Sequence, residues 1–222
     1  MTVSFHSCII VVMGRFNVMN TLSHVLMGRF LHDYVRKKHG IALNKESFVW
    51  GNVLPDYRIS FIQRPHFVAN SLNYVQRKIS RLSKQQRSAY RGKTYSKELG
   101  ILCHYYADFF CFAHTPDFGG NLYQHVRYED RLYQNFLKHY EEFKIMQFIH
   151  PGDISRDADF IGARFNRLQS SYLQAMPSFD NDLIYSILAC TELIVILTGS
   201  TALPAQDEKL ALIPSQLMPL TF

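Results

Sequence analysis

Residues 98–129 concentrate the histidine and carboxylate side chains of this chain. A dense filling of apolar and aromatic residues predicts one helix from about Tyr95 to His114. On that helix His104 and Asp108 are one turn apart on the same face, where two side chains can share a metal ion. Buried imidazoles and carboxylates are costly unless they are paired or metal-bound, so the stretch predicts a metal site rather than isolated hydrogen-bonded pairs. Its ligand-type residues are His104, Asp108, His114, His125 and Glu129.

The spacing within this stretch predicts at least two metal ions. His114 follows His104 by ten residues, which corresponds to roughly 15 Å along a helix that rises about 1.5 Å per residue. Metal–nitrogen bonds are only about 2.0–2.1 Å long, so these two imidazoles are not expected to bind one ion.

The residues after His114 predict a turn and a second helix. Thr115-Pro116 should end the first helix, Gly119-Gly120 should turn the chain, and a new helix should begin near Asn121. His125 and Glu129 repeat the four-residue spacing on this helix. An antiparallel helix pair could then close His114, His125 and Glu129 around the second ion.

The composition predicts one packed, all-α domain. The chain has 222 residues, 47% of them hydrophobic, which is ample for a buried core. No convincing strand pattern is found, so we predict a single-domain multi-helix bundle with a multinuclear metal site between its helices. We expect residues 1–18 to be an extension outside the native protein, because Met13 and Met19 are alternative starts. The helical domain is expected at 19–202 and an irregular tail at 203–222.

The remaining helices are predicted from capping residues and apolar periodicity. The most apolar one, Asp182 to Thr198, is marginal in length for a membrane span, but Asp182 and Glu192 favour a buried central helix. Two further helices are expected from Thr21 or Ser23 to Gly40 and from Asn44 to Pro55, with Asp56 at an extended corner after the second. A third is expected over 76–93, with a solvated basic face. The last two are expected from 121 to about Ile149 and from a cap at Asp153 or Ser155 to 176.

The net charge and the cysteines of the chain indicate which partners and which cellular compartment to expect. The formal net charge of +6 suits an anionic partner such as a phosphate ester, a nucleic acid or a lipid surface. The cysteines Cys8, Cys103, Cys111 and Cys190 lack CxxC spacing and predict reduced, buried thiols. The first 18 residues lack the basic start and cleavage site of a signal peptide. We therefore expect a cytoplasmic protein, with peripheral membrane contact compatible with that location.

The order and spacing of eight residues resemble those of the zinc-dependent phospholipase C family of bacteria. The resemblance covers residues 20–129, and the later helices fit the all-α bundle of the family without diagnostic residues. The motifs that carry it are His24, Asp56 in GNVLPDYR, His66 in PHF, His104-x3-Asp108-x5-His114 and His125-x3-Glu129.

The resemblance implies three zinc ions, one more than the spacing alone predicts, so we expect two to three. It implies one ion held by Asp56, His66, His104 and Asp108, a second held by His114, His125 and Glu129 with a position left for water, and a third held by His24 and Asp108. Secreted relatives complete the third site with an amino-terminal tryptophan. This chain has none there, and we hypothesise that translation from Met19 supplies the amine five residues before His24.

The resemblance also implies a reaction and a substrate-binding position. We expect a phosphodiester hydrolase of phospholipase C type, in which Asp56 orients or deprotonates the attacking water. Tyr57 keeps one aromatic residue of the family's choline box, but Gln63 stands at the second aromatic position, so no preference for choline is predicted. Phe61, Phe67 and Phe118 lie near ligand positions and either line a lipid cleft or pack in the core.

Two other functions remain open from the sequence. A single-strand nuclease or nucleotidase of the related fungal and plant family would use the basic run, but those enzymes end their ligand set with His-x3-Asp, whereas this chain has His125-x3-Glu129. Nucleic acid is therefore the less favoured substrate. A non-catalytic protein could retain the same metal ligands for stability alone. The sequence does not predict the oligomeric state.

Overall fold

A computed structural model describes residues 5–57, 66–148 and 154–199 of the chain. Within these ranges the ordered elements are α-helices and short 3₁₀ turns, with no β-strand, so the predicted all-α class is confirmed. The helices are α1 (Phe5–His39), α2 (Lys45–Tyr57), α3 (Val68–Ser83), α4 (Lys93–Phe109), α5 (Leu122–Lys138), α6 (Tyr140–Ile145), α7 (Ala158–Gln174) and α8 (Phe179–Thr198).

Helix α8 lies at the centre of the bundle and packs against α1, α4, α5 and α7. Every residue from Asp182 to Thr198 is buried. Ser178 caps its first turn by accepting a hydrogen bond from the N–H of Asn181, and Gly199 ends it with a φ of 66°. Of the helices in the described ranges, α8 alone is long and apolar enough to cross a membrane, yet 94% of its apolar window is buried inside the protein. The prediction of a central helix is thus confirmed.

Helices α2 and α4 approach each other closely at Gly51 and Gly100. A Cβ atom on Gly100 would overlap the carbonyl oxygen of Phe48, and one on Gly51 would overlap that of Lys97. Backbones this close need residues without side chains at the crossing. The contact brings the end of α2, with Asp56, next to the middle of α4, with His104.

The predicted bounds of α1 and α2 are partly wrong. Helix α1 runs through Thr21 and Ser23, so neither caps its start, but it does stop before Gly40, whose φ is 64°. Asn44 begins α2 as predicted, accepting a hydrogen bond from the N–H of Ser47 at 3.1 Å. Pro55 does not end α2, because a proline near the end of a helix removes one backbone hydrogen bond without preventing a last turn. Asp56 therefore lies within that turn and not at an extended corner.

Helix α4 ends at Phe109, five residues before the predicted end at His114. His114 lies instead on a separate 3₁₀ turn, Phe112–His114. The second predicted helix does begin after Asn121, but it stops at Lys138, and α6 follows after a break at His139. The single long helix that was expected to continue to about Ile149 is therefore two helices, α5 and α6.

The remaining predictions about helix ends and charge need two corrections. Helix α7 is capped by Asp157, whose side chain accepts hydrogen bonds from two N–H groups of the first turn, and not by Ser155; Asp153 lies outside the described residues. The basic stretch 76–93 is not one solvated helix face. Helix α3 ends at Ser83 within it, and Lys78 is buried in an ion pair with Glu98.

The described cysteines are free thiols, as predicted. Cys103, Cys111 and Cys190 are buried, and burial raises the pKa of Cys111 and of Cys190 well above the ordinary value. The side chain of Cys8, the segment with Phe61 and Gln63, and the tail at 203–222 lie outside the described residues.

Candidate metal centre

All eight predicted ligand residues come together between α1, α2, α4 and α5. His24 lies on α1, Asp56 at the end of α2, and His66 just before α3. Three groups of side chains have ligand atoms within 4.8 Å of one another: His24 with His104 and Asp108; Asp56 with His66 and His104; and His114 with His125 and Glu129. The structure thus brings the eight side chains together. The group of His114, His125 and Glu129 is the one that the resemblance implies, whereas His104 is grouped with His24 as well as with Asp56 and His66. The role of the eight residues as ligands stays a prediction.

Asp108 lies at the centre of the cluster, and its carboxylate faces four imidazoles. Its Oδ2 atom is 2.9 Å from Nδ1 of His66 and 3.2 Å from Nε2 of His104. Its Oδ1 atom is 3.2 Å from Nε2 of His24 and 3.9 Å from Nε2 of His114. One carboxylate with a different set of nitrogens at each oxygen is suited to bridge two ions.

The backbone of α2 orients His104. The Nδ1 atom of His104 is 2.8 Å from the carbonyl oxygen of Asn52 and can only donate a hydrogen bond to it. The proton is therefore on Nδ1, and Nε2 carries the lone pair. Nε2 points at Asp108 and lies 3.7 Å from Oδ1 of Asp56. A histidine whose other nitrogen is held by a carbonyl is the usual arrangement of a metal ligand.

Glu129 joins the third group. Its Oε1 atom is 3.1 Å from Nε2 of His114 and 3.0 Å from Nε2 of His125. The four-residue spacing of His125 and Glu129 places both on one face of α5, as the sequence predicted. Asn121 and Gln124 form a capping box at the start of α5, which fixes this first turn.

His104 and His114 lie closer together than the spacing on one helix predicted. A continuous helix would have carried His114 roughly 15 Å beyond His104. The chain instead turns after α4, and the 3₁₀ turn brings His114 back to within 3.9 Å of Asp108. The two imidazoles still belong to different groups. The geometric reason given for at least two metal ions was therefore wrong, and the number of ions stays a prediction.

The cluster leaves several buried polar atoms without a hydrogen-bond partner. The distances between nitrogen and oxygen are short, yet the contacts of His24 and His104 with Asp108 lack hydrogen-bond geometry. Buried polar atoms without partners are costly, and a cation would satisfy all of these at once. Imidazole nitrogens and carboxylate oxygens are zinc ligands, so the residues fit the metal. The atoms concerned are Nδ1 and Nε2 of His24, Nε2 of His104, Nδ1 of His114, Oδ2 of Asp56 and Oδ2 of Asp108.

The carboxylates at the centre of the cluster are ionised. Burial opposes the charge of Asp108, but the neighbouring His104, His24 and His114 outweigh it and hold its pKa well below the ordinary value. Burial likewise opposes the charge of Glu129, and the hydrogen bonds from His114 and His125 lower its pKa to about 2. Both carboxylates are therefore in the ionised form that binds a cation.

The other side chains have pKa values shifted in different directions. Burial raises the pKa of Asp56 to about 6, with the charge of Asp108 adding to the effect of burial. Burial alone would lower the pKa of His24, but the carboxylate of Asp108 raises it to about 9. Burial and the charge of His24 hold the pKa of His104 well below its ordinary value. A carboxylate with a pKa near 6 can exchange a proton close to neutral pH.

A pocket opens against the cluster between α1, α4, α5 and α8. Its polar end is formed by Ser23, His24, Asp108 and Glu129. The walls away from the cluster are mainly apolar, with Met27, Leu132, Phe136 and Leu183. Aromatic rings also border the ligands: Phe67 lies 5.8 Å from the ring of His114, and Phe118 lies 6.0 Å from that of His125.

Tyr57 follows Asp56 directly, and its side chain is 52% exposed. Its ring lies 6.3 Å from that of Trp50, which is 50% exposed and is the single tryptophan of the chain. The two rings form an exposed aromatic pair beside the metal centre. This position is compatible with the predicted contact between Tyr57 and a substrate, which stays a prediction.

Two polar residues that support the centre were not predicted from the sequence. Asn52 holds His104 through its backbone carbonyl, for which no side-chain pattern exists. Asp182, on α8, accepts hydrogen bonds from the backbone of Phe112 and the hydroxyl of Tyr128. The one available signal for Asp182 was an acidic residue at the start of the most apolar helix.

The fold and the site define an all-α protein with a buried cluster of imidazole and carboxylate side chains that could hold metal ions. The family model described as zinc dependent phospholipase C matches residues 23–179, and the chain belongs to that family. The match includes all eight predicted ligands and continues to the start of α8. No curated protein and no solved structure matches the chain.

Proposed function

We propose that this protein is a zinc-dependent phosphodiester hydrolase of phospholipase C type that acts on phospholipids. The observation that carries the proposal is the carboxylate of Asp108, which faces four imidazoles drawn from all three ligand groups. Membership of the zinc-dependent phospholipase C family supports the same reaction class.

The zinc ions would be held by the three groups of side chains. Asp56, His66 and His104 would hold one ion together with Asp108; His114, His125 and Glu129 would hold another; His24 and Asp108 would hold a third. When bound, zinc lowers the pKa of water toward about 7 and neutralises negative charge on phosphate oxygens.

Asp56 is the proposed general base. It is buried, its Oδ2 atom has no hydrogen-bond partner, and its pKa of about 6 allows it to accept a proton near neutral pH. In the proposed reaction Asp56 takes a proton from the attacking water as the new phosphorus–oxygen bond forms. The bond from phosphorus to the oxygen of the diacylglycerol-like group breaks, and the alcohol leaves after taking a proton from solvent.

The exposed aromatic rings beside the centre support a lipid substrate. The pocket beyond Asp108 and Glu129 has mainly apolar walls, but its volume of about 40 Å³ is too small for an acyl chain or a nucleobase, so it does not distinguish the two substrates. Tyr57 is the proposed contact to the headgroup, and the exposed Trp50 ring beside it suits the interface of a membrane. We therefore include transient contact with a membrane surface in the proposal, together with a cytoplasmic location.

The test compares three substrates with matched variants of the zinc-loaded full chain. Release of phosphocholine from phosphatidylcholine, hydrolysis of bis(p-nitrophenyl) phosphate and cleavage of single-stranded DNA are measured for wild type, His125→Ala and Asp56→Asn. His139→Ala is the control, because His139 pairs with Glu142 outside the metal centre. We expect turnover of the phospholipid, a loss of at least about 100-fold in the two site variants, and no change in the control.

Each other result contradicts part of the proposal. Equal turnover in wild type, His125→Ala and Asp56→Asn would exclude the site. Cleavage of DNA in preference to phospholipid would replace the proposal with a nuclease. Zinc bound without hydrolysis of any of the three substrates would indicate the non-catalytic metal-binding protein.

A further inference from the structure

A fully buried carboxylate on α8 connects both segments that carry the group His114, His125 and Glu129. Oδ2 of Asp182 accepts a hydrogen bond from the N–H of Phe112 at 2.9 Å and another from the hydroxyl of Tyr128 at 2.9 Å. Oδ1 accepts one from the hydroxyl of Tyr172 on α7 at 2.8 Å. Asp182 itself has no exposed surface.

The first two donors are the ones that adjoin predicted ligands. Phe112 begins the 3₁₀ turn that ends at His114, and Tyr128 precedes Glu129 on α5. The turn has no side-chain cap on its first residues. The hydrogen bond from the N–H of Phe112 to Asp182 therefore connects this turn directly to the core of the bundle.

Aromatic packing reinforces the same connection. The ring of Tyr128 lies 5.9 Å from that of Phe112, 5.7 Å from that of Phe118 and 4.8 Å from that of Phe179. The two ligand-bearing segments thus meet each other and α8 at one place. Tyr128 directly precedes Glu129 on α5, so these contacts hold the part of the helix that carries Glu129.

We infer that Asp182 is a positioning residue that sets the zinc affinity of the group His114, His125 and Glu129. The inference rests on the proposed zinc binding, but it concerns a residue outside the ligand set and outside the family match at 23–179. Residues that orient metal ligands through hydrogen bonds typically change metal affinity by about 10- to 100-fold when they are removed.

The chemistry of the site predicts different effects for two substitutions at Asp182. Asp182→Ala leaves the N–H of Phe112 and the hydroxyl of Tyr128 without their acceptor. Asp182→Asn can keep its amide oxygen on those two donors and turn its NH₂ group to the hydroxyl of Tyr172, which can accept a hydrogen bond instead of donating one. Asparagine should therefore rescue the loss caused by alanine.

The test measures zinc per chain by mass spectrometry after equilibrium dialysis of the full-length protein against buffered free zinc. We expect the zinc affinity of one site to fall about 10-fold or more in Asp182→Ala and to stay within about threefold of wild type in Asp182→Asn. Tyr128→Phe should lower it more than Tyr172→Phe, because Tyr172 lies on a helix without predicted ligands. The control is Glu192→Gln, a buried carboxylate of the same helix that pairs with Arg164.

A double variant separates a local effect from general loss of structure. His125→Ala removes a ligand of the same group, so adding Asp182→Ala to it should cause no further loss of zinc from the remaining sites. If Asp182→Ala does not fold, as judged by circular dichroism, Tyr128→Phe makes the same comparison with only one hydroxyl removed.

Three outcomes would overturn the inference. They are an unchanged affinity in both Asp182→Ala and Tyr128→Phe, a failure of asparagine to rescue, and an equal loss from the remaining sites in the His125→Ala background. Wild type that binds no zinc would overturn the inference and the proposed function together. Normal zinc binding without hydrolysis would overturn only the proposed function.

Discussion

The Nδ1 atom of His104 lies 2.8 Å from the carbonyl oxygen of Asn52, across the crossing of α2 and α4. The contact depends on Gly51 and Gly100, which leave room for the backbones of α2 and α4 to meet. Asn52 also donates a hydrogen bond from its side chain to the carbonyl of Phe48 at 3.0 Å. The orientation of a predicted ligand is therefore set by two residues that have no side chain.

Gly100→Ala is expected to destabilise the protein. The added methyl group would overlap the carbonyl oxygen of Phe48, which is backbone and cannot move aside without separating α2 from α4. We expect the free energy of unfolding to fall by about 2 kcal/mol or more, as for overpacked cores. Urea unfolding followed by circular dichroism measures it.

Gly162→Ala is the matched control for this substitution. Gly162 lies within α7, and a Cβ atom there would meet nothing within 4 Å. Alanine is the better helix former, so this variant should gain about 0.5–1 kcal/mol. Equal changes in unfolding free energy for Gly100→Ala and Gly162→Ala would show that the close approach of α2 and α4 does not determine the effect.

Zinc is expected to stabilise the folded protein, and a chelator to reverse the effect. A ligand that binds only the folded state at about 100 times its dissociation constant adds about 2.7 kcal/mol for each site. Asp108→Asn should lose a large part of this gain, since Asp108 contacts imidazoles from more than one group. Thermal unfolding with zinc and with EDTA measures it, with the exposed Asp159→Asn as control. A melting temperature that is independent of zinc would argue against the metal centre.

Glu98→Gln is expected to cost more stability than Arg81→Ala. Glu98 pairs with both Lys78 and Arg81, but Lys78 is only 8% exposed, whereas the side chain of Arg81 is 62% exposed. Neutralising Glu98 takes the charge of its carboxylate away from the buried ammonium group of Lys78, at a cost of about 3 kcal/mol. Removing the exposed partner should cost less than about 1 kcal/mol. Denaturant unfolding measures the loss of unfolding free energy in each variant. Equal losses in Glu98→Gln and Arg81→Ala would show that the burial of Lys78 is unimportant.

Asp182 is expected to make stability fall as the pH rises toward 7. Burial raises the pKa of Asp182 from 3.8 in the unfolded chain to about 7, although the hydrogen bonds from Phe112, Tyr172, Tyr128 and Cys111 oppose the shift. Between about pH 4 and pH 7 the folded state therefore keeps a proton that the unfolded state has released. Stability from this group is complete below pH 4 and declines by at most about 1.4 kcal/mol for each pH unit up to 7.

Asp182→Asn removes this titration while keeping the hydrogen bonds described above. The difference in unfolding free energy between the variant and wild type should shift in favour of the variant from pH 5 to 7 and become constant above about pH 8. Other groups titrate in both proteins, so their contribution cancels in the difference. A difference that does not change with pH would mean that Asp182 is ionised throughout.

Features fixed by short-range spacing were predictable from the sequence. His125 and Glu129 share a face of α5 because they are four residues apart, and Asn121 caps that helix as its side chain predicts. The centre of the bundle was predictable for a similar reason, because a run as apolar as α8 must be buried or lie in a membrane.

Features that depend on distant partners were not predictable. Nothing in Phe110-Cys111, which contains neither proline nor glycine, indicates that α4 ends before His114. The acceptor role of Asp182 arises from donors 70 and 54 residues away in the chain, at Phe112 and Tyr128. Convergence of the eight predicted ligands could be expected only through the family resemblance, since the distances between the motifs in sequence carry no geometry.

The position of Asp182 on α8, the last helix of the described residues, bears on the order in which the site can be assembled during synthesis. A ribosome-bound chain that has emerged only as far as α7 already contains all eight predicted ligands, but the N–H of Phe112 still lacks its acceptor. The buried centre of the bundle is also missing at that stage. We therefore expect the site to bind metal only after α8 has been translated. A nascent chain truncated before α8 should be unable to retain the metal.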